Sequence, residues 1–222
     1  MSEGDLVIRV HGEELALMPE RCVFWRAKET LLIADPHFGK AATFRAGGIP
    51  VPTGTTDEAL SRLQRAMGRA TAKRIVFLGD LLHAKAGRSR SMLQALGQWR
   101  SANSTMEVLL VRGNHDRRAG DPPGDLRIDC VDAPYVMRPF ILAHHPVAIE
   151  GEYVIAGHVH PGVRLYGAGR QRVRLPCFVF GSAGAILPAF GDFTGFADSE
   201  PEADSGVYAI AGETVIEIKI DG

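Results

Sequence analysis

The chain has 222 residues, 45% hydrophobic and 23% charged, with a net charge of −1 at pH 7. That length suits one domain, 1–222, with a sizeable core, and the composition excludes a disordered or collagen-like chain. No apolar stretch approaches the ~20 residues of a membrane helix, three scattered cysteines (Cys22, Cys130, Cys177) exclude a disulfide framework or thiolate zinc site, and Met1–Asp5 lacks a signal-peptide pattern, so a cytoplasmic location with no membrane partner is expected.

Leu6, Ile8 and Val10 alternate with polar neighbours, as do Leu15 and Leu17. The first 34 residues therefore read as strands, with His11-Gly12-Glu13 as a turn. Leu31–Ala34 is an apolar run that ends in Asp35-Pro36-His37. Pro50–Gly54 is a loop rich in breakers. Thr55-Thr56-Asp57-Glu58 has the pattern of a capping box, and Leu60, Leu63 and Met67 carry a helix to about residue 71. Ile75–Leu78 is a second apolar run, ending in Gly79-Asp80-Leu81-Leu82-His83. Met92, Leu93, Leu96 and Trp99 predict a helix from Ser89 to Ser101. Beyond residue 105 the chain reads as strand-rich, with turns at Gly120–Gly124, Gly167–Gly169 and Gly181–Gly184. Three more runs lie there. Val108–Val111 leads to Gly113-Asn114-His115-Asp116, Phe140–Ala143 to His144-His145, and Tyr153–Ala156 to Gly157-His158-Val159-His160. Leu187–Ser205 is long and rich in Gly, Pro, Phe and Asp. It reads either as a cap with Phe190, Phe193 and Phe196 packed inward, or as a wall beside a site that stacks a base.

Seven of the eight histidines fall in these five motifs, and only His11 lies outside. Polar groups at the carboxyl ends of several strands mark the place where open α/β sheets put their sites. Asp35 and His37 are two apart, which on an extended backbone points both to one face, and His158 and His160 repeat the spacing. Asp80 offers a carboxylate that can bridge two cations, and Asn114 offers a neutral carbonyl oxygen. Such an oxygen and nitrogen set without thiolate suits Mn²⁺, Fe²⁺ or Zn²⁺ better than Ca²⁺. Glycines before Asp80, Asn114 and His158 permit tight turns and close backbone approach. Charge is uneven: residues 197–222 hold seven acidic side chains and one lysine, leaving the rest net positive. Arg112, Arg117 and Arg118 flank the third motif, and Arg164, Arg170, Arg172 and Arg174 follow the fifth, which suits a phosphate-rich substrate. The cluster Arg62, Arg65, Arg69, Lys73 and Arg74 reads instead as a solvated helix face.

The ordered set Asp-x-His, Gly-Asp-x-x-His, Gly-Asn-His-Asp, His and Gly-His-x-His resembles the calcineurin-like metallophosphoesterase superfamily. Longer stretches, including Phe44–Pro52, Leu175–Phe178 and Leu187–Gly195, resemble its branch of bacterial ligase-associated DNA damage response endonucleases. The resemblance implies two facing mixed β-sheets flanked by helices, a four-layer α/β sandwich. It implies a first metal held by Asp35, His37 and His160, a bridging Asp80, and a second metal held by Asn114, His158 and one of His144 or His145. Neighbours on a strand face opposite ways, so one of the two is the ligand, and the resemblance favours His144, because the superfamily's ligand commonly stands two before a proline, here Pro146. His115 matches the catalytic histidine, with Asp116 orienting its ring, and His83 matches a phosphate contact of the nuclease branches. The implied activity is a phosphodiesterase or endonuclease with two divalent ions, most consistent with Mn²⁺. Its DNA substrate would be single-stranded or have single-stranded regions, with ligase-associated repair proteins as partners. The alternatives are a phosphatase or phosphodiesterase for small nucleotides, which shares the same chemistry, and a non-catalytic scaffold, which would have lost ligands that are all present here.

Overall fold

The apolar runs become strands that are apolar on both faces because both faces are covered. In the computed structural model, which describes residues 3–52, 54–166, 172–192, 194–198, 202 and 204–219, seven strands form a first sheet in chain order. They are β1 (Leu6–Val10), β2 (Glu13–Met18), β3 (Cys22–Trp25), β4 (Thr30–Ile33), β5 (Arg74–Leu78), β6 (Glu107–Val111) and β7 (Asp129–Val131). β1 to β4 pair antiparallel, and β4 to β7 pair parallel. The parallel pairs need crossovers, supplied by α1 (Lys40–Ala46) with α2 (Thr55–Ala70), by α3 (Arg90–Ala102) and by α4 (Asn114–Ala119).

A second sheet is built from the rest of the chain. Its order is β14 (Ala197–Asp198), β11 (Pro161–Tyr166), β12 (Arg172–Phe180), β13 (Gly184–Ile186), β10 (Tyr153–Ala156), β9 (Phe140–Leu142) and β8 (Tyr135–Met137). β15 (Gly206–Ala211) pairs with β12, and β16 (Thr214–Ile218) with β15. β9 and β10 run parallel, as β4, β5 and β6 do in the first sheet.

Alternation along each strand sorts the core into layers. Leu31 and Ile33 of β4, with Ile75 and Phe77 of β5, face the helices, where Leu63, Met67, Met92 and Leu96 meet them. Leu32, Val76 and Leu78 face the other way and pack with Trp25 against Phe140, Leu142, Ile155 and Phe178 of the second sheet. Fully burying one such side chain stabilises by about 1.5–3 kcal/mol, so this central layer fixes the two sheets face to face. The expected pair of mixed sheets is present. The helices gather on the outer face of the first sheet, and among the described residues none covers the outer face of the second. Among the described residues no helix is long and apolar enough to cross a membrane.

The two helices expected from periodicity stand within a residue or two of their predicted bounds. Ser89 caps α3, its hydroxyl accepting from the Met92 N–H at 3.2 Å. The capping box at Thr55 does not form. The N-cap is Gly54, with φ of 90°, and Thr55 is already helical. The turn at His11 and Gly12 is present with both residues at positive φ, and the His11 ring packs 4.9 Å from that of Tyr153. The predicted turn Gly167–Gly169 lies outside the described residues.

Candidate metal centre

Parallel β4, β5 and β6 end at one edge of the first sheet, and parallel β9 and β10 end at the facing edge of the second. Their following loops deliver Asp35 and His37, Asp80 and His83, Asn114 to Asp116, His144 and His145, and His158 and His160 to one place. Every metal ligand expected from the sequence is brought there. Donor atoms within 4.8 Å of one another form four groups: Asp35, His37 and His160; Asp35, Asp80 and His144; His144, His145 and His158; and His37, His83 and His115. None includes a cysteine. Asp80 lies between the others, with Oδ2 3.8 Å from His37 Nε2 and Oδ1 3.4 Å from His144 Nε2.

Strand alternation is not what brings these donors together. Asp35, His37, Asp80, His158 and His160 have φ between 47° and 68°. The backbone there is left-handed rather than extended, which costs of order 1–3 kcal/mol at each non-glycine residue and persists only where neighbours over-determine it. Asp35 and His37 still converge, but His158 and His160 part: His160 joins Asp35 and His37, while His158 joins His144. The adjacent histidines also depart from strand alternation, because the chain has left β9 and bends. Their rings lie 4.7 Å apart, and His145 reaches within 4.0 Å of His158. His144 is buried at 1% exposure and His145 is exposed.

The glycines act as foreseen. A Cβ on Gly79 would lie 2.3 Å from His144 Nδ1, one on Gly113 2.3 Å from Asp80 Oδ1, and one on Gly157 2.4 Å from Asp35 Oδ2. Each of the three lets a backbone close onto a donor from another loop.

Asp116 does not orient His115. Its buried carboxylate accepts from the backbone N–H groups of Asp80 at 2.7 Å, Gly113 at 2.9 Å and Leu82 at 3.3 Å. It therefore ties the Asp80 loop to the start of α4. The His115 ring is instead held by the His83 carbonyl, which accepts from His115 Nδ1 at 2.7 Å. Nε2 of His115 then points inward, 3.9 Å from Asp80 Oδ2. The His83 ring stacks on His115 at 4.8 Å, and its Nδ1 meets His37 Nδ1 at 3.4 Å.

These donors fit a divalent cation. The His144 Nδ1–H donates to the Leu78 carbonyl at 3.0 Å, so Nε2 presents a lone pair. That lone pair faces Asn114 Oδ1 at 2.9 Å and Asp80 Oδ1 at 3.4 Å, both acceptors. Asp35 Oδ1 is buried with no hydrogen-bond partner, while Oδ2 accepts from His158 N–H at 2.7 Å. Asp80 Oδ1 also accepts from His115 N–H at 2.9 Å, and His158 Nδ1 lies 3.1 Å from His144 Nε2, so the orphaned atom is Asp35 Oδ1, and a buried carboxylate oxygen without a hydrogen-bond partner among imidazoles calls for a cation. Burial, then Lys40, pulls His37 down to about 2 and His83 down to about 4. Burial, then neighbouring imidazoles, also lowers His145 and His158. Imidazoles kept neutral are the form that ligates. Burial likewise raises Asp80 and Asp116 above the ordinary carboxylate value, a cost that nearby cations offset.

Lys40, at the start of α1, was not foreseen. Its half-buried ammonium is depressed by burial and feels Asp35 and Asp80. Its only signal in the sequence is its position five residues after Asp35. Most arginines of the 62–74 and 112–118 segments serve structure. Arg62 pairs with Asp192 at 3.0 Å, Arg69 with Glu20 at 2.5 Å, Arg112 with Asp121 at 2.8 Å and Arg117 with Asp132 at 2.9 Å. In the segment after β13, Phe190 is fully buried against the helices, and Phe190 N–H and Gly191 N–H donate to the carbonyls of Ala34 and Asp35. This matches inward packing for Phe190, while Phe193 lies outside the described residues.

A scan of protein-family models and a search of curated proteins gave no match. Among solved structures, the nuclease MPE of Pseudomonas putida aligns with a TM-score of 0.85 and 38% identity, over 96% of this chain and all of that one. Yfce, a phosphoesterase from E. coli, aligns with a TM-score of 0.43 and 13% identity over 86% of this chain and 99% of its own. With 38% of residues shared along almost the full length of both proteins, this chain belongs to the same metallophosphoesterase family as the Pseudomonas putida nuclease MPE.

Proposed function

We propose that the chain is a metal-dependent phosphodiesterase that cleaves nucleic acid, with DNA containing single-stranded regions as its substrate and two Mn²⁺ ions as its cofactors. The observation that carries this reading is Asp80, a buried carboxylate that stands between one donor group from the first sheet with His160 and another that includes His144 and His158. Asp35, His37 and His160 would hold one ion, Asn114, His144 and His158 the other, and Asp80 both. Such ions supply Lewis acidity, which activates a water for attack on phosphorus and neutralises phosphate charge.

The chain's own groups supply the remainder. His115 presents Nε2 to the site from a ring fixed at Nδ1, and its side chain is 30% exposed, so it can reach a substrate oxygen. As an imidazolium, with Nδ1–H kept on the His83 carbonyl, it would donate from Nε2 a proton to the leaving oxygen or a hydrogen bond to the phosphate. His83 packs against it as a neutral ring and fixes it through its carbonyl. His145, exposed beside His158, and Lys40, beside the Asp35 loop, offer further contacts to a phosphate. Asp116 keeps Asp80 and Gly113 in register and does not touch substrate.

The relative's activity as a nuclease supports a polynucleotide substrate. The sequence resemblance adds a place in cytoplasmic DNA repair beside ligase-associated proteins. Purified protein with Mn²⁺ should be offered single-stranded DNA, duplex DNA, a phosphomonoester and a cyclic nucleotide. Internal cleavage of DNA is expected. Hydrolysis of the monoester or the cyclic nucleotide alone would replace the reading with that of a small-nucleotide phosphatase or phosphodiesterase.

A further inference from the structure

The hairpin of β11 and β12 grows directly out of the site, because β11 begins at Pro161, the residue after His160. In its register Arg164 stands opposite Arg174, and Tyr166 opposite Arg172. Residues two apart on a strand, and residues directly opposed on its antiparallel partner, share a face. One face of the hairpin therefore carries Arg164, Tyr166, Arg172 and Arg174. The other carries Val163 and Leu175, which pack on the cluster of Cys177 and Val179. The Arg172 guanidinium lies 5.6 Å over the Tyr166 ring, and that of Arg174 lies 5.5 Å over Phe196. Tyr166 is 69% exposed, the most of any large hydrophobic side chain among the described residues. Guanidinium groups gathered on one face attract a phosphate backbone, and a large aromatic ring held in water gives up burial. Both features suit a polyanion that carries flat rings.

We propose that this face is a binding arm for single-stranded nucleic acid, with phosphates on Arg164 and Arg172 and a base stacked on Tyr166. The proposal rests on the nuclease reading above and gives that site a substrate track. A single strand is favoured over a duplex because only an unstacked base offers its face to an aromatic ring. A strand rises ~3.3 Å per residue, so Arg164 stands about 13 Å and Tyr166 about 20 Å along the arm from His160. The track starts beside the metal ligands and runs outward.

The test is fluorescence anisotropy with the full chain and a labelled, mixed-sequence single-stranded DNA with a phosphorothioate backbone, over a range of salt concentrations. Y166A should weaken binding by about 5- to 150-fold, and Y166F, which keeps the ring, should bind as the wild type does. The double variant R164Q/R172Q should lower the magnitude of the salt slope by about 0.7 for each phosphate no longer neutralised. K73Q is the control, since Lys73 pairs with Glu29 on the first sheet's side of the molecule. Wild-type affinity and slope in both Y166A and R164Q/R172Q would overturn the proposal, as would equal weakening in K73Q. Duplex DNA bound as tightly as single-stranded DNA, with no loss in Y166A, would overturn the choice of single strands. If the wild type cleaves DNA while the arm variants bind normally, the arm alone fails. If the wild type cleaves no DNA yet binds it through Tyr166 and the arginines, the nuclease reading fails and the arm stands.

Discussion

Replacing Asp116 separates two accounts of the site. Its carboxylate takes three backbone N–H groups that are all buried, at 2.7, 2.9 and 3.3 Å. A buried donor left without a partner costs about 1–3 kcal/mol. Counting the two short bonds fully and the long one at the low end, and allowing for the burial cost of the carboxylate itself, Asp116→Ala should destabilise the metal-free protein by about 3–5 kcal/mol. For a chain of this size that lowers the melting temperature by about 6–20 °C. Cation affinity should fall as well, because the Asp80 N–H is one of the donors left unpaired. Asp116→Asn should also melt early, since its amide nitrogen cannot accept. Thermal melting of EDTA-treated protein, followed by titration with Mn²⁺, measures both effects. If both variants melt within about 1 °C of wild type while turnover collapses, Asp116 acts on the His115 ring and the structural role is wrong.

Asp80→Ala should abolish tight binding of both ions, because one carboxylate serves two donor groups, and metal analysis of the purified variant will read this directly. His115→Ala should keep its metal yet lose ~10²–10⁴-fold in turnover, with a smaller loss on nitrophenyl esters than on DNA. An equal loss on both would assign His115 to phosphate charge rather than to the leaving group. Gly113→Ala pushes a methyl group to 2.3 Å from Asp80 Oδ1 and should lose metal binding. By contrast Gly68→Ala, on an open face of α2 with nothing within 4 Å, should stabilise the fold by about 0.5–1 kcal/mol. Calorimetric metal titration beside thermal melting distinguishes the two.

The donor set was legible because each ligand follows a buried strand, and a buried strand is visible as a short apolar run closed by Gly, Pro or Asp. α2 and α3 were legible from 3.6-residue periodicity. α4 was not, since Asn114–Ala119 is a polar stretch of six residues whose helix is held by Asp116 accepting from Gly113 N–H rather than by an apolar stripe. The capping box failed because Gly54, at positive φ, already turns the chain into the helix. The division of His158 from His160 could not come from strand alternation, because neither residue is extended. That division followed from the family resemblance. The role of Asp116 was hidden for another reason. The resemblance placed Asp116 against the His115 ring, whereas its carboxylate is taken by main-chain N–H groups, which carry no sequence signal.

The central apolar layer divides the molecule in a way that also divides its chemistry. Residues up to Val131 build one sheet and hold Asp35, His37, Asp80, Asn114 and His115, while those from Tyr135 onward build the other and hold His144, His145, His158 and His160. Neither half has a complete coordination sphere. A cation held by donors from both halves would therefore tie the sheet interface, and its binding energy would add to the cohesion of Trp25, Leu32 and Val76 with Phe140, Ile155 and Phe178. A chain severed in the short connection between β7 and β8 would yield two fragments whose reassociation tightens with metal concentration, a split enzyme with its own chemical dimeriser.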